Sequence, residues 1–238
     1  MADVNKLFSF NYKEYEVDRI MKTNKLVKKL TGKSIIEFFD NIYFSNEDEK
    51  EILKKVFMNR IDDEVVSFIM GKYNENPEYF NNHRDWRKLD SYMRSVILGW
   101  VTEDATIYHL NKNGINAVLN EDNRDIFSHH NFTPDLKIGG LLIEVMTHYY
   151  EKIVDDNVFY IKKVKLDLLK NFNSWILLYD VHSTPMFTVL NVNSVRIIRE
   201  ERKLIGGKRG YVIDLSGVKF YKIKKMPGVF RELINDFM

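Results

Sequence analysis

The chain has 238 residues, 45% of them apolar and 13% aromatic, with only 11 glycines and 4 prolines, which allows a large hydrophobic core and excludes a disordered or low-complexity chain. Charged residues make up 29%, yet the net charge is only +2, so any nucleic-acid surface has to come from local clustering rather than overall charge. Cysteine is absent, which excludes disulfides, thiolate metal sites and thiol nucleophiles and suits a reducing compartment.

The first twenty residues lack the apolar run of a signal peptide, and no window of about 18 residues is free of charge. A soluble, cytoplasmic protein with no membrane partner is expected. Residues 1–88 read as a helical accessory region, with helical patterns over 17–30, 34–44 and 46–73 whose apolar residues recur at spacings of three and four. Ser45 is the expected N-cap of the third, followed by Asn46, Glu47, Asp48 and Glu49 in a first turn that favours carboxylates. The segment around Pro77 is the expected boundary with a second domain, 89–238.

That domain opens with a helix over 89–113, ended by Gly114. Strands are predicted over 115–119, 134–138, 141–147 and 174–181, and Gly139-Gly140 reads as a tight hairpin turn between the second and third. A helix is predicted over 156–172, with Asp155 and Asp156 at its start and Lys170 near its end. The step from it to the fourth strand is a crossover expected to be right-handed. Further strands are predicted over 186–192, 194–200, 211–215 and 218–223, and a closing helix has Pro227 at its first position.

Three carboxylates stand where apolar residues are expected. On the helix over 89–113, Val96, Gly99, Trp100, Ile107 and Leu110 form one stripe, with Glu103 in its middle and Asp104 at its edge. An acid there needs a cation or hydrogen-bond partner, of which an arginine is the plainest. Asp135 opens the strand Asp-Leu-Lys-Ile, and Glu144 follows Leu141, Leu142 and Ile143, nine positions further on around the glycine turn. Registers near this one set the two acids side by side on one face. Anions at that separation repel unless a cation lies between them, and hard oxygen donors suit Mg2+ or Mn2+.

Phe132-Thr133-Pro134-Asp135, the spacing to Glu144 and the apolar run before it resemble the signature of the PD-(D/E)xK nuclease superfamily. An upstream helix reading Glu103, Leu110, Gly114 is also similar. The resemblance covers about 89–182 and implies an α/β, restriction-endonuclease-like αβββαβ core with a mixed central sheet. It also implies hydrolysis of phosphodiesters with Mg2+ or Mn2+ held by Asp135, Glu144, the Val145 carbonyl and, directly or through water, Glu103.

One position departs from the pattern. Two residues past Glu144 the family has lysine, and this chain has Met146. Either the lysine has moved to the next helix or the site is inactive. Among Lys162, Lys163 and Lys165, the apolar stripe Ile161, Val164, Leu168, Leu169 and Phe172 includes Lys165, is flanked by Lys162 and turns Lys163 away. Lys165 is therefore favoured and Lys162 second. His148 shares a face with Glu144 and is read as structural or contributory.

Viral cap-snatching endonucleases are similar in another way, through Pro134-Asp135, Glu144, Thr147 and the cluster 162–165. His109, which would correspond to a metal-binding histidine of that group, lies on the wrong side of its helix.

A basic cluster of Arg199, Arg202, Lys203, Lys208 and Arg209 surrounds Gly206-Gly207 as a ribbon for nucleic acid, with Arg202, Lys203, Lys208 and Arg209 the expected contacts. The function expected first is a DNA endonuclease of restriction or defence type, possible as a homodimer. The alternatives are an RNA endonuclease of the cap-snatching kind and a non-catalytic nucleic-acid-binding protein on a degenerate nuclease fold.

Overall fold

The computed structural model describes residues 7–9, 12–78, 88–121, 124, 126, 133–149, 156–205 and 208–237, with the backbone alone at 203–205 and 208. Among the described residues no helix is long and apolar enough to cross a membrane. In chain order the elements are α1 (Glu14–Thr31), α2 (Ile35–Phe38), α3 (Lys50–Phe57), α4 (Asp63–Glu75), α5 (Leu89–Lys112), β1 (Ala117–Leu119), β2 (Leu136–Ile138), β3 (Leu141–His148), β4 (Val158–Lys162), α6 (Lys163–Asn171), β5 (Trp175–Asp180), β6 (Met186–Asn191), β7 (Ile197–Ile205), β8 (Lys208–Asp214), β9 (Tyr221–Lys222) and α7 (Met226–Phe237).

The mixed α/β architecture expected from the sequence is present. A six-stranded sheet runs β1-β2-β3-β5-β6-β9, and a separate three-stranded sheet runs β4-β8-β7. In the larger sheet β1, β2 and β3 form an antiparallel meander, and only the β3–β5 pair is parallel. Parallel neighbours need a long crossover, and here β4 and α6 fill it.

Alternation along β5 shows the layering. Leu177 and Tyr179 enter a core with α1, α3, α4, α5 and α7, while Ile176 and Leu178 enter a second core with Leu166 and Leu169 of α6 and with Phe159, Ile161 and Ile213 of the small sheet. The large sheet is thus the middle layer, with helices on one side and α6 plus the small sheet on the other. The first core runs without a break from the amino-terminal helices to the sheet.

The hairpin between β2 and β3 sets the register of everything that follows. Ile138 pairs with Leu141, Lys137 with Leu142 and Leu136 with Ile143. Gly139 and Gly140 both have positive φ, 54° and 92°, the backbone of a two-residue turn whose twist matches antiparallel strands.

Several expectations are corrected. The helix predicted over 156–172 begins only at Lys163, because Val158, Phe159, Tyr160 and Ile161 form β4 and pair with β8. A β-branched and aromatic run with an edge to pair against outweighs a helical period. The stripe drawn there fails as well: Val164 is 63% exposed and Phe172 39%, while Leu166 and Leu169 are buried.

The helix predicted over 46–73 is cut in two. Asn59 has φ 57°, and the Asp62 side chain caps α4 by accepting from the Val65 amide at 3.0 Å. Of the predicted helix over 34–44, only Ile35–Phe38 is α, followed by a 3-10 turn at Phe39–Asn41. Asn46 rather than Ser45 caps the turn at Glu47–Glu49. The strand predicted over 218–223 is reduced to Tyr221–Lys222, and Met226 rather than Pro227 opens α7. On α5, Gly99 is exposed and Val96 and Ile107 are half-buried, while Met93, Ile97, Val101 and Ala105 are buried. The helix is covered on two sides, by α1 and by the sheet, so a single stripe does not describe it.

A side chain at 140 meets nothing within 4 Å, so its cost is that of the left-handed backbone alone. Gly140→Ala is expected to lower unfolding free energy by about 1–2 kcal/mol and Gly140→Asn by less, as read by urea titration; equal losses for both would contradict this.

Candidate active site

Asp135 is held by its backbone before its side chain does anything. Its carbonyl accepts from the Asn120 amide at 2.9 Å, continuing the β1–β2 ladder by one residue, and the Asn120 side-chain amide donates to the Pro134 carbonyl at 3.0 Å. Extending the β2–β3 register by the same step sets Asp135 opposite Glu144. Because the Asp135 carbonyl points toward β1, this is a non-hydrogen-bonded cross-strand pair, the kind in which side chains come closest. The Asp135 charge bears directly on the Glu144 carboxyl, a repulsion that a proton or a cation between the two would relieve. Asp135 Oδ2 accepts from the Val145 amide at 2.8 Å. Along a strand the amide and carbonyl of one residue face the same edge, so the Val145 carbonyl also faces the Asp135 side.

Lys165 of α6 completes this face. Its ammonium pairs with Glu144 Oε1, and its side chain keeps 41% exposure while that of Glu144 keeps 3%. Buried Leu166 and Leu169 seat the helix, so Lys165 stands at the flank of the buried stripe. Met146, where the family has lysine, packs into the second core. Of the other candidates, Lys163 pairs with Glu200 at 2.9 Å. Lys162 closes β4 opposite Gly210 on the small sheet. His148 lies against Phe159 with ring centroids 6.4 Å apart. His109 Nδ1 bonds the Leu30 carbonyl at 2.9 Å, on the α1 side of its helix.

Glu103 approaches from α5, and here the sequence missed a residue. Arg124 donates from one guanidinium nitrogen to Glu103 Oε2 at 2.6 Å and from the other to Asp104 Oδ2 at 2.5 Å and the Tyr43 carbonyl at 3.2 Å. Its amide donates to Ser45 Oγ at 2.6 Å, which is what Ser45 does in place of capping a helix. The Tyr43 amide donates to Asp104 Oδ2 at 2.8 Å. The signal for Arg124 was indirect: two adjacent acids on a buried helix demanded a cation, and the arginine partner weighed for Glu103 is present.

The electrostatics follow from this crowding. Burial first, then the Asp135 charge, pushes Glu103 up to about 7, with Arg124 opposing. Burial and Asp135 push Glu144 well above the carboxylate range, with Lys165 opposing. Burial also raises Asp104 against the pull of Arg124. Desolvation disfavours the Lys165 ammonium, but the charges of Glu144, Asp135 and Glu103 overcome it and raise its pKa.

Among the described residues, no group of three acidic or histidine side chains is gathered tightly enough to hold a metal ion as it stands. Two carboxyl groups facing each other across the strands nevertheless fit a hard divalent cation, which would offset their repulsion. Mg2+ is commonly held by one or two protein carboxylates, with water and phosphate supplying the rest.

No protein-family model matches the chain, and no curated protein matches its sequence. Among solved structures it is similar to Hjc, a Holliday junction resolvase from Archaeoglobus fulgidus. The TM-score is 0.33 and the identity 16%, over 54% of this chain and 97% of that one.

The expected basic ribbon is the antiparallel hairpin β7–β8. Arg202 and Arg209 are exposed on it. The side chains of Lys203 and Lys208 lie outside the described residues, as do Gly206, Gly207 and Phe132. Glu200 and Glu201 interrupt the positive charge, the latter paired with Arg199 at 2.8 Å.

A carboxyl with a higher pKa folded than unfolded keeps a proton that the unfolded chain has released, so raising the pH destabilises the fold between the two values. For Glu103 that window runs from 4.5 to about 7, and Glu144 adds to it in the same direction. In chelator, stability to urea is expected to fall across this window relative to the Glu103→Gln/Glu144→Gln variant. Mn2+ should restore more at pH 8 than at pH 6. A flat difference between the two proteins would contradict the assigned shifts.

Proposed function

We propose that this chain is a metal-dependent nuclease of the PD-(D/E)xK type that hydrolyses phosphodiester bonds in DNA. The observation that carries the proposal is the Asp135–Glu144 cross-strand pair with the Lys165 ammonium on Glu144. Asp135, Glu144 and the Val145 carbonyl would hold Mg2+ or Mn2+, with Glu103, engaged by Arg124, joining through water. Bound there, the ion supplies a Lewis acid that activates water and neutralises charge on the scissile phosphate.

Lys165 is the residue we assign in place of the motif lysine. Its ammonium, held on Glu144, can donate to an attacking water or to an anionic phosphate oxygen that enters the site. Lys162, at the start of α6, is the second candidate. Residues 89–238 form the nuclease part in this assignment and 1–88 an accessory part that braces Arg124 through Tyr43 and Ser45. The size of the chain and its added helical region fit a restriction or defence enzyme, and cutting both strands of a duplex favours a homodimer.

The β7–β8 ribbon supports DNA over RNA. A B-form major groove admits a two-stranded ribbon, whereas the A-form groove of RNA is too deep and narrow for one. Arg202 and Arg209, with Lys203 and Lys208, are the proposed contacts. The position of His109, bonded to Leu30, takes away the residue that would have favoured the cap-snatching alternative.

The test is cleavage of duplex DNA and of single-stranded RNA with Mg2+, Mn2+ or chelator. Asp135→Ala and Glu144→Ala are expected to abolish metal-dependent cutting, and Lys165→Ala to slow it roughly 10²–10³-fold, with Lys162→Ala near wild type. Cutting that persists in both acid variants would falsify the site. Preference for RNA would move the assignment to the alternative substrate, and binding without cutting in any metal would mark a degenerate nuclease.

A further inference from the structure

A cavity of about 480 Å3 lies between α5 and residues 38–41, within the size range of small-molecule sites. Its α5 wall is a stripe at four-residue spacing, Asp104, Tyr108 and Lys112, with Ile107 beside it, and Phe38 and Asn41 face it. Phe38 stands edge-on to the Tyr108 ring, centroids 5.8 Å apart. A carboxylate, an aromatic ring and an ammonium thus follow one another along the cavity.

The free hydrogen-bonding groups of the wall narrow what can fill it. The Asp104 side chain is 8% exposed, and the Tyr43 amide and Arg124 both donate to its Oδ2. Among the described residues nothing donates to Oδ1, which is the oxygen left for a ligand. Asn111, also in the wall, is spent on the amide and carbonyl of Ala117. Lys112 is exposed, its ammonium 5.9 Å from the centroid of the Tyr108 ring, and Lys33 donates to Asn41 Oδ1 at 3.3 Å, a second ammonium near the rim. Eight residues of helix rise about 12 Å, so a ligand joining Asp104 to Lys112 has a donor at one end, a flat body and a distant anion. A free amino acid, with its two charges on neighbouring atoms, is too short. One free oxygen suits the single exocyclic amine of adenine, whereas guanine presents two adjacent donors and needs both oxygens of a carboxylate.

We propose that this cavity binds an adenine nucleotide, with the exocyclic amine on Asp104 Oδ1, the base against Tyr108 and Ile107, and the phosphate on Lys112. Aromatic side chains are general platforms for bases, and an ammonium is a strong partner for phosphate. The site is distinct from the acids on the sheet and does not rest on the nuclease reading. The two share one contact, since Arg124 ties Asp104 to Glu103.

Calorimetric titration of the whole chain with AMP tests it, in chelator so that no metal ion carries the phosphate to Asp135 and Glu144. AMP is expected to bind with Kd below about 1 mM. GMP, adenosine and purine riboside 5′-monophosphate, which lacks only the amine, should each bind at least about tenfold more weakly. Lys112→Ala, a change at an exposed position, and Tyr108→Ala should each weaken AMP by about tenfold. Changing the ligand rather than Asp104 leaves Arg124 paired, and the ligand series with Lys112→Ala decides the question if Tyr108→Ala does not fold. No binding of AMP overturns the proposal. So does AMP binding that is indifferent to Lys112→Ala, or purine riboside 5′-monophosphate binding as tightly as AMP, either of which places the nucleotide elsewhere. All of these outcomes leave the nuclease reading untouched.

Discussion

Two strands of a glycine hairpin bring Asp135 and Glu144 face to face, and the remainder of the site answers the repulsion this creates. The pair occupies a non-hydrogen-bonded position, where cross-strand side chains are nearest, and it is pinned there from both sides. The Asn120 amide fixes the backbone of Asp135 on the β1 side, and the Val145 amide fixes its side chain on the β3 side. A one-residue slip of β3 would turn Glu144 into the helical core and Ile143 toward α6 in its place, so the burial of Leu136, Ile138, Leu141 and Ile143 in the helical core enforces the register that the acids need. Hydrophobic packing thus holds together two groups that electrostatics would separate.

Compensation for the charge comes from three layers of the molecule. Lys165 reaches Glu144 from α6 below the sheet. Arg124 reaches Glu103 and Asp104 from the loop between β1 and β2, and is itself held by Tyr43 and Ser45 from the amino-terminal helical region. That region shares one core with α5 and the sheet. A substitution far from the acids, at Tyr43 or Ser45, therefore bears on the site through a named chain of contacts. Removing one member of a buried ion pair commonly costs 3–5 kcal/mol because the other charge is left stranded, so Arg124 and its carboxylates stand or fall together.

Much of this was legible in the sequence, for local reasons. Gly139-Gly140 and the alternating strands around it announced the hairpin, and a count across the turn was enough to set Asp135 beside Glu144. Lys165 was reached by a helical wheel that extended too far: Ile161 belongs to β4 and Val164 points to solvent, yet of that stripe Leu169, one turn on from Lys165, is buried. What stayed hidden was non-local. The β4 strand exists because β8, some fifty residues later, supplies its partner. Arg124 sits in a segment with no periodicity, so only the unmet charge of Glu103 and Asp104 hinted that a cation had to exist. Ser45 has the composition of a helix cap and was spent instead on the Arg124 amide, a choice that depends on a contact 79 positions away.

The central claim is that a divalent ion belongs between Asp135 and Glu144. The most direct measurement is a crystal structure of the protein grown with Mn2+, with anomalous differences collected at the manganese edge. The account predicts one strong peak bonded to both carboxylates and the Val145 carbonyl, with Glu103 still on Arg124. A protein that crystallises with its two acids intact and shows no anomalous peak between them, or shows it at some other site, would contradict it.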